Sequence, residues 1–162
     1  MPDSETCFHP IGILHTPFTQ LADMPIQPRG ARGVKGELVL EEQFIPGLKD
    51  LDGFSHIYLL YVFHKISGFD LTITPFLDRT PHGLFATRAP KRPNPIGLSV
   101  VRLAGIQGNR LQLEDVDMLD GTPVLDIKPY VPAFDQPKDV RMGWLTGRGD
   151  QAQNKRSDDR FI

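Results

Sequence analysis

The chain has 162 residues, enough to bury one core without disulfides or a structural metal. Its single cysteine, Cys7, excludes an internal disulfide, and a formal charge of −2 excludes a uniformly basic nucleic-acid binder. No apolar stretch reaches membrane-spanning length, the longest lying around Ile57–Phe63, and MPDSETCFHP is not a secretory leader, so the chain reads as a cytoplasmic protein without a membrane partner.

Phe8–Leu14 and Glu37–Leu40 read as strands. Between them, QPRGARGVKG carries Gly30, Gly33 and Gly36 at three-residue spacing, with Arg29, Arg32 and Lys35 interleaved, and reads as a mobile loop. Glu41–Leu48 could form a short helix despite Pro46. Ser55–His64, almost all apolar or aromatic, suits a strand covered on both faces. Pro75–Gly83 reads as loop and Leu84–Thr87 as a short strand. Ile96–Leu103 and Arg110–Leu113 flank GIQGN as a hairpin, and Val124–Val131 is a last strand stopped by Pro132. The sequence after Trp144 is polar and reads as poorly ordered. Short strands punctuated by 15 glycines and 15 prolines predict a mainly β, small single-domain barrel with a few short helices. The expected layout is a tail over 1–7, a barrel domain over 8–146 and a polar tail over 147–162.

The five histidines (9, 15, 56, 64 and 82) have no ligand spacing, which argues against a metal site. There is no phosphate-cradling glycine loop, and Ser99 lies in a strand with no recognisable partner for nucleophilic chemistry. The richest run is FATRAPKRPNPIGLSVV, Phe85–Val101. Its three prolines fix their own φ and bias Ala89, Arg92 and Asn94 toward extended backbone. Arg88, Lys91 and Arg92 are therefore held on a stiff loop, suited to gripping an anion with little entropy loss. With Arg29, Arg32 and Lys35 they could also form the local cation stripe that RNA requires. Asp120-Gly121-Thr122-Pro123 offers a carboxylate, a flexible glycine and a hydroxyl, although it is equally a plain β-turn sequence. Asp126, Lys128 and Tyr130 alternate, so they share either the solvent side or a polar pocket.

The same run resembles the signature of the TrmO/TsaA-like family, which reads close to FATRSPxRPNPIGLS. PIGILHTPF at Pro10–Phe18, GFSHIYLLYVFH at Gly53–His64 and LDGTPVLDIKPYVP at Leu119–Pro132 resemble further family segments in the same order. The resemblance implies a compact barrel unrelated to the doubly wound sheet of Rossmann-type methyltransferases. It also implies S-adenosylmethionine as cofactor, and methylation of the exocyclic nitrogen of threonylcarbamoyladenosine at position 37 of tRNA. Carried over residue by residue, the cofactor contacts are Pro25, Ile26, Gln27, His64, Lys65, Arg88, Leu113, Asp120, Gly121, Thr122 and Pro123. Ile26 stands where many relatives have arginine, and Ala89 where serine is common. A homodimer with the cofactor near the subunit boundary is implied as well.

Methyl transfer from a sulfonium needs alignment and exclusion of water more than a nucleophile. The acceptor nitrogen does need to lose a proton, and Asp120, Asp126 and His64 are the candidate bases. Two other readings use the same cations: a non-catalytic module that senses an adenosyl compound or RNA, and a methyltransferase on a non-tRNA acceptor.

Overall fold

The computed structural model describes residues 6–22, 24–25 and 28–148. Strands β1 (Gly12–His15), β2 (Lys35–Leu40), β3 (His56–Val62), β6 (Ile96–Gln107), β7 (Arg110–Glu114) and β8 (Thr122–Pro129) close into a barrel ordered β1-β2-β7-β6-β3-β8. Every pairing in it is antiparallel. A small ribbon, β4 (Thr72–Ile73) with β5 (His82–Gly83), lies within the long β3–β6 connection. The one α-helical turn, α1, spans Pro132–Asp135 among the described residues.

Alternation along the strands puts one apolar row inside. Leu14, Leu38, Ile57, Leu59, Val101, Leu111, Leu113, Val116 and Val124 are closed to solvent and form the core. Fully burying a side chain of this kind contributes about 1.5–3 kcal/mol. β3 alternates buried and half-buried residues, so its outer face is only partly covered rather than enclosed on both sides. Between Leu60 and Tyr61 the register against β8 shifts, leaving Leu125 as an extra residue. Such a bulge bends the strand locally and re-aims the side chains beside it.

Several sequence expectations are corrected. Leu84–Ala86 is a 3-10 turn, not a strand, with the Thr87 amide closing onto the Leu84 carbonyl. His82 and Gly83, expected in a loop, pair with Ile73 and Thr72. β6 runs on to Gln107, because Gly105 and Ile106 still pair across to β7, and only Gly108 and Asn109 make the turn. The Glu41–Leu48 helix is 3-10 over Glu42–Leu48, as Pro46 disrupts regular α-helical bonding. The glycine-rich loop after β1 is anchored: Ala31 is fully buried, Gly33 N–H donates to Asp115 Oδ1 at 2.7 Å, and Val116 N–H to the Val34 carbonyl at 3.2 Å. The segment beyond Trp144 is also held, as far as Arg148, which pairs with Asp78 at 2.5 Å.

The antiparallel order decides where function can sit. β1, β3 and β7 run toward one end of the barrel, and β2, β6 and β8 leave from it. The connections 16–34, 63–95 and 115–121 therefore gather at that end.

Candidate active site at the barrel mouth

Those three connections are stitched together by backbone and carboxylate bonds. Asp120 Oδ1 accepts the Thr16 N–H at 3.0 Å and lies 3.3 Å from His15 Nδ1. The Asp120 N–H donates to the Phe18 carbonyl at 2.7 Å, and the Gly121 N–H to the Leu14 carbonyl at 2.9 Å. Thr16 Oγ1 donates to the Met118 carbonyl at 2.8 Å. Gly121 has φ +77, the left-handed region that glycine enters without cost, and a Cβ there would point toward His64 Nε2, 4.0 Å away. The aspartate–glycine turn thus faces the end of β3 across a small open space.

The electrostatics sort the candidate bases. The Thr16 amide holds the Asp120 carboxyl below the usual carboxylate range, so it is a fixed anion and a weak base. Burial, and then the neighbouring Lys65, lowers His64, which leaves its imidazole neutral near pH 7. Asp126 lies on the outer wall: its carboxylate meets Lys128 Nζ at 2.8 Å and both side chains are well exposed. The alternating Asp126, Lys128 and Tyr130 face solvent, with Tyr130 edge-on to Tyr58 at 5.5 Å.

The proline run folds as a self-supporting brace. Arg92 donates to the carbonyls of Thr87 at 3.0 Å and Ala89 at 3.2 Å, and its guanidinium sits 5.7 Å from the Phe85 ring centroid. Arg92 is therefore largely committed to its own loop. Arg88 is exposed at the mouth, and its positive field reaches Tyr58, Tyr61 and Asp117. Lys65 is exposed beside His64, Lys91 is half-buried, and Arg32 and Lys35 are exposed. From the far side, Trp144 stacks on His82 at 4.5 Å between ring centroids, and its Nε1 donates to the Ala86 carbonyl at 2.8 Å.

Other expected contacts are placed differently. Leu113 is a core residue, its side chain 1% exposed, so only backbone could be offered there. The Thr122 hydroxyl is spent on the Leu119 carbonyl at 2.7 Å. Pro123 pairs with Ile13 at the β1–β8 seam, and Pro25 is buried. Ile26, Gln27 and the Arg29 side chain lie outside the described residues.

A polar chain that sequence reasoning missed lies just below the mouth. Ser99 Oγ donates to Asp117 Oδ1 at 2.8 Å, and the Tyr61 hydroxyl is 3.1 Å from Ser99 Oγ. Burial pushes the Asp117 carboxyl up to about 6, and the Tyr61 phenol is also raised by burial. The available signal was a serine at an inward position of β6, which demands a partner.

A family model for the tRNA-methyltransferase O N-terminal domain matches residues 13–136, most of the chain and all of the mouth. The chain belongs to the tRNA-methyltransferase O N-terminal domain family. A Pyrococcus abyssi protein described as a probable S-adenosyl-L-methionine-binding protein is 50% identical over 156 residues, covering 96% of this chain and 85% of that one. The human tRNA (adenine(37)-N6)-methyltransferase is 36% identical over 138 residues, covering 81% of this chain and 31% of the human protein. The crystal structure of TrmO from Pseudomonas aeruginosa matches with TM-score 0.73 and 42% identity, over 87% of this chain and 63% of that chain. The chain thus spans under two-thirds of the tRNA-methyltransferase O structure and about a third of the human enzyme.

Proposed function

We propose that this chain is an S-adenosylmethionine-dependent methyltransferase acting on the exocyclic nitrogen of threonylcarbamoyladenosine at position 37 of tRNA. One observation carries the reading. The three connections bearing the family signatures converge on a single barrel mouth, where Asp120 is locked to Thr16 and Gly121 faces His64.

The residues at the mouth fit that cofactor. A carboxylate is best met by a guanidinium, which Arg88 provides on the braced loop. An ammonium or ribose hydroxyls need anionic or carbonyl acceptors, which Asp120 provides, and Gly121 leaves room for close approach. His64 and Lys65 would border the same space, Pro123 and the backbone of Thr122 would form its wall, and the family resemblance adds Pro25, Ile26 and Gln27 as contacts. When bound, the cofactor supplies an electrophilic methyl group on cationic sulfur, so the protein needs no metal for activation. The chain's own residues orient the acceptor, exclude water and receive its proton.

Arg32 and Lys35 on the glycine-rich connection, together with Lys91, supply phosphate contacts for the tRNA. The functional unit is a homodimer in the cytoplasm, with the cofactor near the subunit boundary. The exposed Phe85, Ile96 and Leu98, beside the mouth and on the outer face of β6, support a covered surface there.

The test is calorimetry with S-adenosylmethionine in the presence of a chelator, followed by methyl incorporation into tRNA that carries threonylcarbamoylation but lacks the methyl group. Binding and incorporation are expected. Binding without incorporation into that tRNA would select the sensing module or a non-tRNA acceptor instead.

A further inference from the structure

Asp117 is the polar group that the fold has most reason to exclude. Around it and Ser99, the side chains of Leu59, Val101, Val116 and Met118 are closed to solvent. A carboxylate in such surroundings is costly unless it is hydrogen-bonded. Its bonding has a direction. Ser99 has one hydroxyl proton and gives it to Asp117, so the Tyr61 phenol is the donor to Ser99. Three side chains from β3, β6 and the connection after β7 make a donor chain ending on a carboxylate. Asp117 itself is half-buried, three residues before the Asp120 turn, so the chain ends at the mouth and not deep in the core.

The groups that face Asp117 are few. Tyr61 reaches it from β3 through Ser99 of β6, and Arg88 acts on it from the connection before β6, along with its own backbone amide. Burial raises the carboxyl, while the Ser99 bond, that amide and Arg88 partly oppose the rise. Of the other bases at hand, Asp120 is held ionised and Asp126 is on the outer wall. His64, neutral at the rim, is the competitor.

We propose that Asp117 is the base that accepts the proton of the acceptor nitrogen, with Ser99 and Tyr61 as positioning residues that fix its orientation. The inference rests on the methyltransferase reading given above. The proton passes from nitrogen to a carboxylate oxygen of Asp117. The electron pair left on nitrogen forms the new N–C bond, and the pair of the broken C–S bond stays on sulfur. The tyrosine–serine chain keeps one carboxylate oxygen bonded throughout, so the carboxyl cannot rotate away as it gains the proton.

Two measurements test this on the intact chain. Carbon-13 carboxyl NMR across pH 3–9 should show one aspartate with a midpoint at about 6 that vanishes in Asp117→Asn. A midpoint for Asp117 at the ordinary value of about 4 would overturn the proposal, whatever the protein does to RNA. Single-turnover methyl transfer should then fall about 10²- to 10⁴-fold in D117N, the usual range for losing a general base. Cofactor affinity should stay within about threefold, and the acid limb of the pH–rate profile should disappear. D117N is isosteric and keeps an acceptor for Ser99. Should it nonetheless fail to fold, Ser99→Ala supplies the test, because removing its bond should move the acid limb to higher pH. Transfer by D117N within about tenfold of the parent, or an acid limb that survives in D117N or stays put in S99A, overturns the assignment in favour of His64. A midpoint at about 6 with no methyl transfer by the parent overturns the methyltransferase reading, and this proposal with it.

Discussion

The ring of Tyr61 lies directly over Gly97, its strand partner, so closely that a Cβ on Gly97 would sit 2.3 Å from two ring carbons. No real side-chain carbon approaches that near, so the missing methyl is what lets the phenol lie flat and reach Ser99. Gly97→Ala should force the ring aside, costing about 1–3 kcal/mol through overpacking and lowering the melting temperature. Tyr61→Phe, which keeps the ring and loses only the bond to Ser99, should cost about 0.5–1.5 kcal/mol. Denaturant unfolding of both variants checks the order. Equal stabilities would mean that the ring has room to move.

Asp117 should give the protein a stability profile opposite to that of most carboxylates. Its folded value of about 6 lies above that of an unfolded aspartate, so the folded state binds the extra proton between the two. That contribution is fully present below about pH 4 and is lost as the pH rises through about 6. Asp117→Asn should therefore compare more favourably with the parent at pH 8 than at pH 4. Urea unfolding at those two pH values measures the difference directly.

Asp78 should behave in the reverse sense. His82 bonds its carboxylate at 2.9 Å, and Arg148 and the amides of Arg79 and Thr80 add to it, holding the group well below the carboxylate range. Its stabilisation is present above the unfolded value of about 4 and is lost as the pH falls below that toward the depressed folded value. Asp78→Asn should destabilise the protein at pH 7, with the gap to the parent closing as the pH drops toward 2. A gap independent of pH would mean that the cluster works by packing alone.

Three substitutions separate the roles proposed for the cations. Arg88→Ala should weaken S-adenosylmethionine by about ten- to hundredfold, since one charge-assisted hydrogen bond is worth about 1.5–3 kcal/mol. Changing Arg32 and Lys35 together to Ala should leave the cofactor alone. It should weaken tRNA and flatten the salt dependence by up to about 0.9 for each duplex phosphate that the protein no longer neutralises, and somewhat less on single strands. Arg92→Ala should act through the loop it braces, lowering stability by about 1–3 kcal/mol without changing the salt slope. Calorimetry, filter binding at two salt concentrations and thermal unfolding separate the three.

The barrel was legible in the sequence because glycine and proline turns punctuate short apolar runs, whereas the all-apolar β3 carried no alternation and so read as covered on both faces. The family motifs likewise pointed to the mouth. What stayed hidden depends on contacts between residues far apart in the chain. Ser99 looked partnerless because its acceptor is 18 residues away and its neighbour Tyr61 is 38 away. The brace made by Arg92 stayed hidden because composition cannot reveal that its guanidinium folds back on Thr87 and Ala89. The Leu84–Ala86 turn was missed because three apolar letters suit a strand as well as a 3-10 turn.

The closed ring of β1, β2, β7, β6, β3 and β8 has one more consequence. In an open sheet an edge strand can slip by two residues and carry its loop with it. Here each strand is clasped on both sides, so slipping one would break two ladders together. The spacing between Tyr61, Ser99 and the start of β8 is thereby fixed. The mouth can be reshaped only by rewriting its connections, and in the 115–121 connection only around Val116 and Met118, which belong to the core.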